Sequence, residues 1–220
     1  MHEVRFVIRT AAELPADDGW LGPDERARWA AMRFARRRAD FLLGRFAAHE
    51  LLADLLGPGR DDVRAADDGA PEPWRDGVPA GAAISISHRA GSALCAGSCA
   101  RLRIGADLER IEPRAGGFVD DFFTPAEAAR VARTAPGQRD ECTALIWSAK
   151  ESALKALRQG LRLDTRSVSL QRAATARGDS WGALEVEAGG EHFTGWWRRE
   201  GPLVATVLAD APFTLLRIGP

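Results

Sequence analysis

The sequence predicts an α+β fold of two similar lobes with pseudo-twofold symmetry, each a small antiparallel sheet packed with a long helix. Stretches with helical periodicity alternate with short stretches of strand-like alternation. Each half of the chain offers one long helical stretch with strands near it. The 220 residues, 45% hydrophobic and 28% charged, are enough to bury a core. We expect the lobes to meet near residue 105, which gives an N-terminal lobe of residues 1–104 and a C-terminal lobe of residues 105–220.

The first half begins with an apolar strand predicted around residues 4–8. An arginine-rich stretch from Pro23 to Gly57 has apolar side chains at spacings of three, four and seven, which predicts one or two amphipathic helices. Residues 57–81 are rich in Gly, Pro and Asp and predict a loop. Alternation at residues 83–88 and 93–99 indicates a hairpin, and residues 102–108 are a third candidate strand.

The second half carries a clear helix start at Thr124-Pro125-Ala126-Glu127. Threonine suits the N-cap, proline the first helical position, and glutamate the third position of a capping box. A long helix is predicted from about residue 141 to 159, stopping at Gly160. Residues 168–170, 184–186, 193–197 and 203–208 have strand-like composition.

Composition and charge exclude several classes of partner. The net charge is −1 and the pI is about 6.4, so no global field attracts nucleic acid or an anionic membrane. Cys95, Cys99 and Cys142 form an odd set without metal-ligand spacing, which favours a reducing compartment. The chain does not open like a secretion signal, and no apolar run approaches the ~18 residues of a membrane span. We therefore expect a cytoplasmic protein.

The two lysines are an unusual feature of the composition. Of the 30 basic residues, 28 are arginine, and the lysines Lys150 and Lys155 lie five residues apart in one helical segment. A compact ammonium with three donors suits a crowded phosphate in a way that a planar guanidinium does not. The alternative is chance retention in a chain that otherwise uses arginine.

The segment Gly105-Ala106-Asp107-Leu108-Glu109 predicts a strand with two acids on one face. The period of two places the Asp107 and Glu109 side chains roughly 6 to 7 Å apart along the strand. Adjacent carboxylates repel each other, and Mg²⁺ is the divalent ion that one or two carboxylates hold together with substrate phosphates. The alternative is an exposed strand edge with two solvated acids.

The helix that contains the lysines has a narrow polar stripe. Because apolar side chains cover most of its other surface, we expect the stripe to face a site rather than open water. Glu151 and Lys155 are also four residues apart in the order that favours a simple surface ion pair. The stripe consists of Ser148, Glu151, Ser152, Lys155 and Gln159.

Ser87 and His88 end a predicted strand and precede a glycine turn at Gly91. A hydroxyl, an imidazole and free backbone N–H groups at such a turn can receive phosphate. A histidine that is merely hydrogen-bonded at a strand end is an equal alternative. In the first helical stretch, Arg38 and Arg45 are seven residues apart and share a face.

Taken together, Ser-His, then Gly-x-Asp-x-Glu, then Trp-Ser-x-Lys-Glu-Ser-x-x-Lys resemble the Sfp-type 4′-phosphopantetheinyl transferases. The resemblance spans about residues 41–157, and the motif at 147–155 is the most specific part. It implies a holo-[acyl-carrier-protein] synthase activity: the phosphopantetheine of coenzyme A is transferred to a serine of an apo acyl or peptidyl carrier protein, with Mg²⁺, releasing 3′,5′-ADP. A role in secondary metabolite or siderophore biosynthesis would fit.

The resemblance also implies roles for individual residues. Asp107, Glu109 and Glu151 would bind the metal, with Glu109 direct or through water. Glu151, Lys155 and His88 would be catalytic, with Lys155 on the attacked phosphate. The residues implied in coenzyme binding are Arg38, Arg45, Ser87, His88, Lys150 and Lys155. The acid strand and the acid helix must then converge, which predicts an active site in the cleft between the lobes.

One departure concerns the coenzyme's terminal phosphate. Many relatives carry a basic residue before a proline where this chain has Gly69-Ala70-Pro71. Arg75 is close in sequence and is the candidate to replace that contact. The resemblance further implies a monomer whose docking surface for the carrier protein includes the loop after Glu112 and the helix from Pro125.

Other classes of function remain open at this stage. A Mg²⁺-dependent hydrolase of a coenzyme A or nucleotide pyrophosphate would use the same acids with water in place of serine. A nucleic-acid-binding module built on residues 33–45 would use the clustered arginines. The aromatic residues among those arginines fall at core spacing, and such a module would leave the acid motifs unused. We therefore expect no nucleic-acid partner.

Overall fold

A computed structural model describes residues 1–176, 178 and 180–219, apart from the side chain of Leu161. These residues divide into two compact units. Unit 1 comprises Met1–Leu102 together with the segment from Phe213, and unit 2 comprises Arg103–Pro212. Both units mix helices with sheets, which confirms the predicted α+β class.

Unit 1 is organised around one long helix. Its first sheet joins β1, β6 and β5, with antiparallel pairing, while β2, β3 and β4 form a separate antiparallel sheet. The elements are β1 (His2–Thr10), α1 (Pro23–Ala31), α2 (Ala35–Leu56), β2 (Asp61–Ala65), β3 (Pro71–Arg75), β4 (Val78–Pro79), β5 (Ala83–Arg89) and β6 (Ser92–Ser98).

Unit 2 repeats the plan of a long helix on an antiparallel sheet. The strand order of its sheet is β7-β11-β10-β9-β8. The elements are β7 (Ile104–Arg110), α3 (Phe118–Phe122), α4 (Pro125–Arg133), α5 (Arg139–Ala156), β8 (Val168–Ala173), β9 (Gly182–Ala188), β10 (Glu191–Glu200) and β11 (Leu203–Ala209).

The last strand, β12 (Phe213–Arg217), belongs to unit 1 rather than unit 2. It pairs in parallel with β1, from His2 opposite Phe213 to Phe6 opposite Arg217. The predicted boundary after residue 104 lies two residues from the observed one, but the predicted C-terminal lobe of 105–220 did not anticipate this return. The parallel pair also makes this sheet mixed, whereas purely antiparallel sheets were predicted. Such a pairing over a long sequence separation leaves no local signal.

The predicted loop at residues 57–81 is wrong in its middle. This segment contains strands β2, β3 and β4, and Pro71 and Pro73 both lie in β3. Proline lacks an N–H and is confined to edge strands, to the first position of a strand or to bulges, so its presence argued against a strand. Pro71 is the first residue of β3, and β4 pairs only with Trp74 and Arg75 of that strand. The helical stretch before it is split at Met32–Phe34 into α1 and α2, and α2 ends at Gly57, whose φ is 77°.

Each long helix packs on its sheet through small and branched side chains. In unit 1, Leu43, Ala47 and Leu51 of α2 are buried against Val7 and Cys95 of the sheet. In unit 2, the buried residues of α5 pack on β8, β9, β10 and β11; they are Ala144, Leu145, Ile146, Ala149, Ala153, Leu154 and Ala156. These packed faces hold the helices in place beside the strands that carry the motif residues.

Helix α5 is shifted from its prediction. It covers Arg139–Ala156 rather than about 141–159, and the chain turns at Arg158, whose φ is 58°, before reaching Gly160. The start of α4 matches the predicted capping box, since Thr124 Oγ1 accepts from Glu127 N and Glu127 Oε2 accepts from Thr124 N. In the described part of the chain, no helix is both long enough and apolar enough to cross a membrane.

Candidate active site

Strand β7 lies unusually close to helix α5 at Gly105. A Cβ built on Gly105 would overlap the carbonyl oxygen of Ser152 and would lie 2.9 Å from Ala156 N. Only a residue without a side chain permits this approach. Since alternate residues share a face of a strand, Asp107 lies on the same face of β7 as Gly105, alongside the helix.

Lys155 of α5 contacts β7 where the helix and the strand approach each other. Its Nζ lies 2.7 Å from Asp107 Oδ1 and donates to Ala106 O at 3.0 Å. Asp107 is 5% exposed, whereas the Lys155 side chain is 27% exposed. The ammonium therefore reaches the surface while it offsets the charge of a buried carboxylate.

Glu151, one turn before Lys155, faces the same negative charges. Burial is the main cause that raises the pKa of the Glu151 carboxyl, and the Asp107 carboxylate raises it further. Lys155 opposes this effect, and Glu109 adds to it. A carboxyl whose pKa is raised binds a proton more readily than an ordinary carboxyl.

Glu109, the second acid of β7, is paired with a residue outside the recognised motifs. Arg114 Nη2 donates to Glu109 Oε2, and both side chains are largely buried, at 17% and 10% exposed. The Arg114 guanidinium also lies 5.2 Å from the centre of the Phe118 ring. The negative charge of Glu109 is therefore partly offset by a cation of the protein itself.

The three acids fit a hard divalent ion in donor type and in charge. Asp107, Glu109 and Glu151 supply carboxylate oxygens, the ligands that Mg²⁺ prefers. Burial raises the pKa of Glu151, and the charges of Asp107 and Glu109 raise it further. Within the described residues, however, no three His, Cys, Asp or Glu side chains are gathered closely enough to hold a metal ion. Lys155 and Arg114 offset part of the charge instead.

The polar stripe of α5 does not face a single open site. Ser148 and Ser152 are fully buried, and each hydroxyl contacts Thr206 Oγ1, at 2.8 and 2.7 Å respectively. Thr206 lies on β11 directly opposite Asp107 of β7. The two serines therefore fix α5 on the sheet, and Glu151 and Lys155 are the stripe residues that reach the acids.

Lys150 lies inside unit 2. Its side chain is fully buried, and its Nζ contacts Glu127 Oε2 at 2.8 Å, Thr165 O at 2.8 Å and also Val168 O. Burial lowers the pKa of Lys150, and the contact with Glu127 opposes this. A side chain buried in this way binds protein groups, which separates Lys150 from the partly exposed Lys155.

Glu127 connects Lys150 to two other elements. Its Oε2 accepts from Thr124 N at 2.8 Å at the start of α4, and its Oε1 accepts from Leu170 N of β8 at 2.8 Å. One buried carboxylate therefore joins α4, α5 and β8. The sequence showed its role as a capping residue but gave no sign of the buried ion pair.

Glu25 makes the corresponding contacts in unit 1. Its Oε2 accepts from Gly22 N at 2.9 Å and its Oε1 accepts from Val63 N of β2 at 3.1 Å. His49 Nε2 of α2 lies 2.7 Å from Glu25 Oε2. Both this glutamate and Glu127 are the third residue of a helix that begins with proline, so the Pro-x-Glu pattern was the signal that could have found them.

Arg45 belongs to the Glu25 cluster. Its Nε lies 3.3 Å from Glu25 Oε1, its guanidinium lies 4.5 Å from the centre of the Phe41 ring, and its side chain is 12% exposed. Burial lowers the pKa of Arg45, while the charge of Glu25 opposes this. The predicted partner Arg38 is placed differently, with its guanidinium 4.3 Å from the centre of the Trp29 ring.

Ser87 and His88 lie on β5, as predicted. Ser87 is buried, whereas the His88 side chain is 48% exposed, with Nδ1 3.9 Å from Asp40 Oδ2 of α2. Gly44 allows this approach, because a Cβ there would lie 3.1 Å from Ile86 Cγ2 and 3.9 Å from His88 Cδ2. The imidazole therefore lies beside α2 and is about half exposed.

Arg75 makes several contacts within unit 1. Its Nε and Nη2 donate to the two oxygens of Asp61 at 2.8 and 2.9 Å. Its Nη1 donates to Leu56 O and its Nη2 to Gly57 O. The guanidinium therefore joins β3 to β2 and to the end of α2, which explains its presence without a phosphate.

Comparison with known families gives two matches. Residues 103–207 match the 4′-phosphopantetheinyl transferase superfamily, and residues 25–98 match the 4′-phosphopantetheinyl transferase N-terminal domain. Among curated proteins, no significant match is found. The chain belongs to the 4′-phosphopantetheinyl transferase family, and the second match fits the Sfp-type, which confirms the resemblance drawn from the motifs. The family supports a transferase activity.

Proposed function

We propose that this protein is a Mg²⁺-dependent 4′-phosphopantetheinyl transferase that modifies a serine of an apo acyl or peptidyl carrier protein. The phosphopantetheine comes from coenzyme A, and 3′,5′-ADP is released. The observation that carries the proposal is the approach of α5 to β7. There the negative charges of Asp107 and Glu109 act on the Glu151 carboxyl, and Lys155 forms an ion pair with Asp107.

The metal would be held by Asp107, Glu109 and Glu151. When bound, Mg²⁺ would supply positive charge to the pyrophosphate of coenzyme A and polarise the bond that breaks. The donor set supports this assignment because it consists of carboxylates, and the charges of Asp107 and Glu109 both raise the pKa of Glu151. Neutralising that repulsion favours the binding of a cation at this position.

Glu151 would act on the carrier serine. Its place beside the acids of β7 and one helical turn before Lys155 supports the role of proton acceptor as the serine oxygen forms its bond to the β-phosphorus of coenzyme A. The phosphoanhydride bond to 3′,5′-ADP breaks in the same displacement. Lys155, which is partly exposed, would stabilise negative charge that develops on the phosphate oxygens.

The residues of unit 1 would bind the coenzyme. His88 is half-exposed beside Ser87, which supports contacts to the pyrophosphate. Arg38 and Arg45 remain proposed coenzyme contacts, although Arg45 is also tied to Glu25. The contacts of Lys150 support a structural role instead of a contact with the coenzyme.

The test is intact-mass analysis of purified apo carrier proteins incubated with coenzyme A, Mg²⁺ and this protein. We expect one or more carriers to gain the mass of phosphopantetheine and 3′,5′-ADP to be released in equal amount. Carriers from fatty-acid, polyketide and nonribosomal-peptide synthases would identify the partner class. A carrier whose acceptor serine is replaced by alanine should remain unmodified.

Variants of the site make the test specific. Asp107→Asn and Glu151→Gln should each lower kcat at least about 100-fold, because each removes a charge needed in the transition state. Glu141→Gln is the matched control, since Glu141 lies on α5 but pairs with Arg199 away from the acids. Release of 3′,5′-ADP without any carrier would instead identify a hydrolase of the coenzyme's pyrophosphate.

We also propose that the protein acts as a monomer in the cytoplasm. The reducing compartment is supported by an odd number of cysteines without paired spacing. Light scattering coupled to size exclusion should give a mass near 23.8 kDa. A dimer mass at micromolar concentration would contradict the first part of this proposal.

A further inference from the structure

Arg114 is a buried cation next to the acid cluster and lies outside every motif discussed above. It follows β7 in the segment that leads to α3, and its Nη2 donates to Glu109 Oε2. Its side chain is 17% exposed. Among the described residues, its Nε makes no hydrogen bond although it is buried. The contacts with Glu109 and with the Phe118 ring both hold this arginine.

This pairing has a consequence for any cation that binds Glu109. A guanidinium stays protonated at all physiological pH values, so its positive charge is always present. A charge-assisted hydrogen bond from arginine occupies one lone pair of the carboxylate and offsets its charge. A divalent ion that binds the same carboxylate must then compete with Arg114, and both cations repel each other.

Lys155 pairs with Asp107 in the same way, but its proposed role differs from that of Arg114. Lys155 is 27% exposed and belongs to the proposed reaction, whereas Arg114 is more buried and is linked to an aromatic cluster. Phe118 lies 5.1 Å, centre to centre, from Trp147 of α5 and 5.0 Å from Phe122. Trp147 precedes Glu151 by one helical turn. Contacts thus run from Glu109 through Arg114 and Phe118 to the helix that carries Glu151.

We propose that Arg114 is a positioning residue that serves as an internal counter-cation of Glu109 and competes with the divalent ion for that carboxylate. The inference rests on the proposed function, because the metal site is part of it. Arg114 keeps the acids from repelling one another when the ion is absent. It lowers the affinity for the ion and is displaced from Glu109 when the ion binds.

Mn²⁺ titration followed by electron paramagnetic resonance, which measures the free ion, tests this without any assay of activity. We expect Arg114→Gln to bind Mn²⁺ about three- to tenfold more tightly than the wild type, the range that loss of one partly exposed ion pair gives. Arg114→Lys keeps the charge and should stay closer to the wild type. Arg110→Gln is the control, since Arg110 is 54% exposed and pairs with Glu112.

A second measurement follows the displacement of Arg114 itself. Mn²⁺ or Mg²⁺ should change the tryptophan fluorescence of the wild type, because Phe118 packs on Trp147. The change should be lost in Trp147→Phe and reduced in Arg114→Gln. Circular dichroism and thermal melting of each variant establish that it is folded before affinities are compared.

The outcomes separate this inference from the proposed function. If the wild type binds Mn²⁺ and Glu151→Gln weakens that binding, the metal site stands. In that case, equal Mn²⁺ affinities of Arg114→Gln and the wild type would contradict the competition and leave the metal-site assignment intact. Weaker binding by Arg114→Gln also overturns it and would make Arg114 a support of the site. No Mn²⁺ binding by wild type or by Arg114→Gln overturns the metal assignment and this inference together.

Discussion

Glu127 and Lys150 form an ion pair inside unit 2, with Lys150 Nζ 2.8 Å from Glu127 Oε2. The Lys150 side chain is 0% exposed and the Glu127 side chain is 4% exposed. The pair connects the start of α4 to the middle of α5. Lys150 is the neighbour of Glu151 in sequence, and its contacts hold the part of α5 that carries Glu151. Desolvation of both charges makes this pair sensitive to the loss of either partner.

Lys150→Met should lower the free energy of unfolding by about 3–5 kcal/mol, because it leaves the Glu127 carboxylate buried without its cation. Urea unfolding measures this change. The double variant Glu127→Gln/Lys150→Met should lose less stability than the sum of the single variants, since it leaves neither charge alone. Additive losses would mean that the two groups do not interact.

Gly105→Ala should lower the free energy of unfolding by more than about 3 kcal/mol, because the new methyl group would overlap the backbone of α5 at Ser152. Gly116→Ala is the matched control. A Cβ at Gly116 meets no atom within 4 Å, and we expect a change within about 0.5 kcal/mol. Similar stability of the two variants would show that β7 does not approach α5 this closely.

Glu151→Gln should stabilise the metal-free protein at neutral pH while it abolishes transfer. The folded-state pKa of Glu151 is raised above the ordinary value of 4.5. The stability that this carboxyl contributes is therefore present below about pH 4.5 and is lost as the pH rises through the folded-state pKa. A neutral amide avoids that loss.

Melting curves in the presence of a chelator check this pH dependence. The Tm of Glu151→Gln should exceed that of the wild type at pH 8, where the wild-type carboxyl is ionised. The difference should shrink towards pH 4. A difference of the same size at every pH would rule out ionisation of Glu151 as its cause, and Glu141→Gln provides the baseline.

Arg75→Ala should weaken unit 1 without weakening coenzyme binding. The variant loses the paired contact with Asp61 and two hydrogen bonds to backbone carbonyls, so we expect a loss of about 1–3 kcal/mol in the free energy of unfolding. The KM for coenzyme A should change less than about twofold, with the exposed Arg60→Ala as control. A large rise in KM at unchanged Tm would restore Arg75 as a phosphate contact.

Much of the site could be predicted from local pattern. Alternation placed Asp107 and Glu109 on one face of a strand, and the capping box at Thr124 predicted the start of α4. These features depend on neighbours within a few residues, which a sequence displays directly. The polar stripe of α5 was predicted in position, but two of its serines face the sheet because Thr206, 54 to 58 residues away, offers them a hydroxyl.

The sequence by itself determined the fold class, the family and the residue types of the acid cluster. Periodicity, caps and motif order are local properties. Only the tertiary structure decided which charges meet: Lys155 with Asp107, Arg114 with Glu109, Lys150 with Glu127 and Arg75 with Asp61. Likewise, only the fold could add β12 to β1. Pairing is set by packing between segments far apart in the chain, and a charge in a sequence gives no sign of whether its partner will be a ligand or another part of the protein.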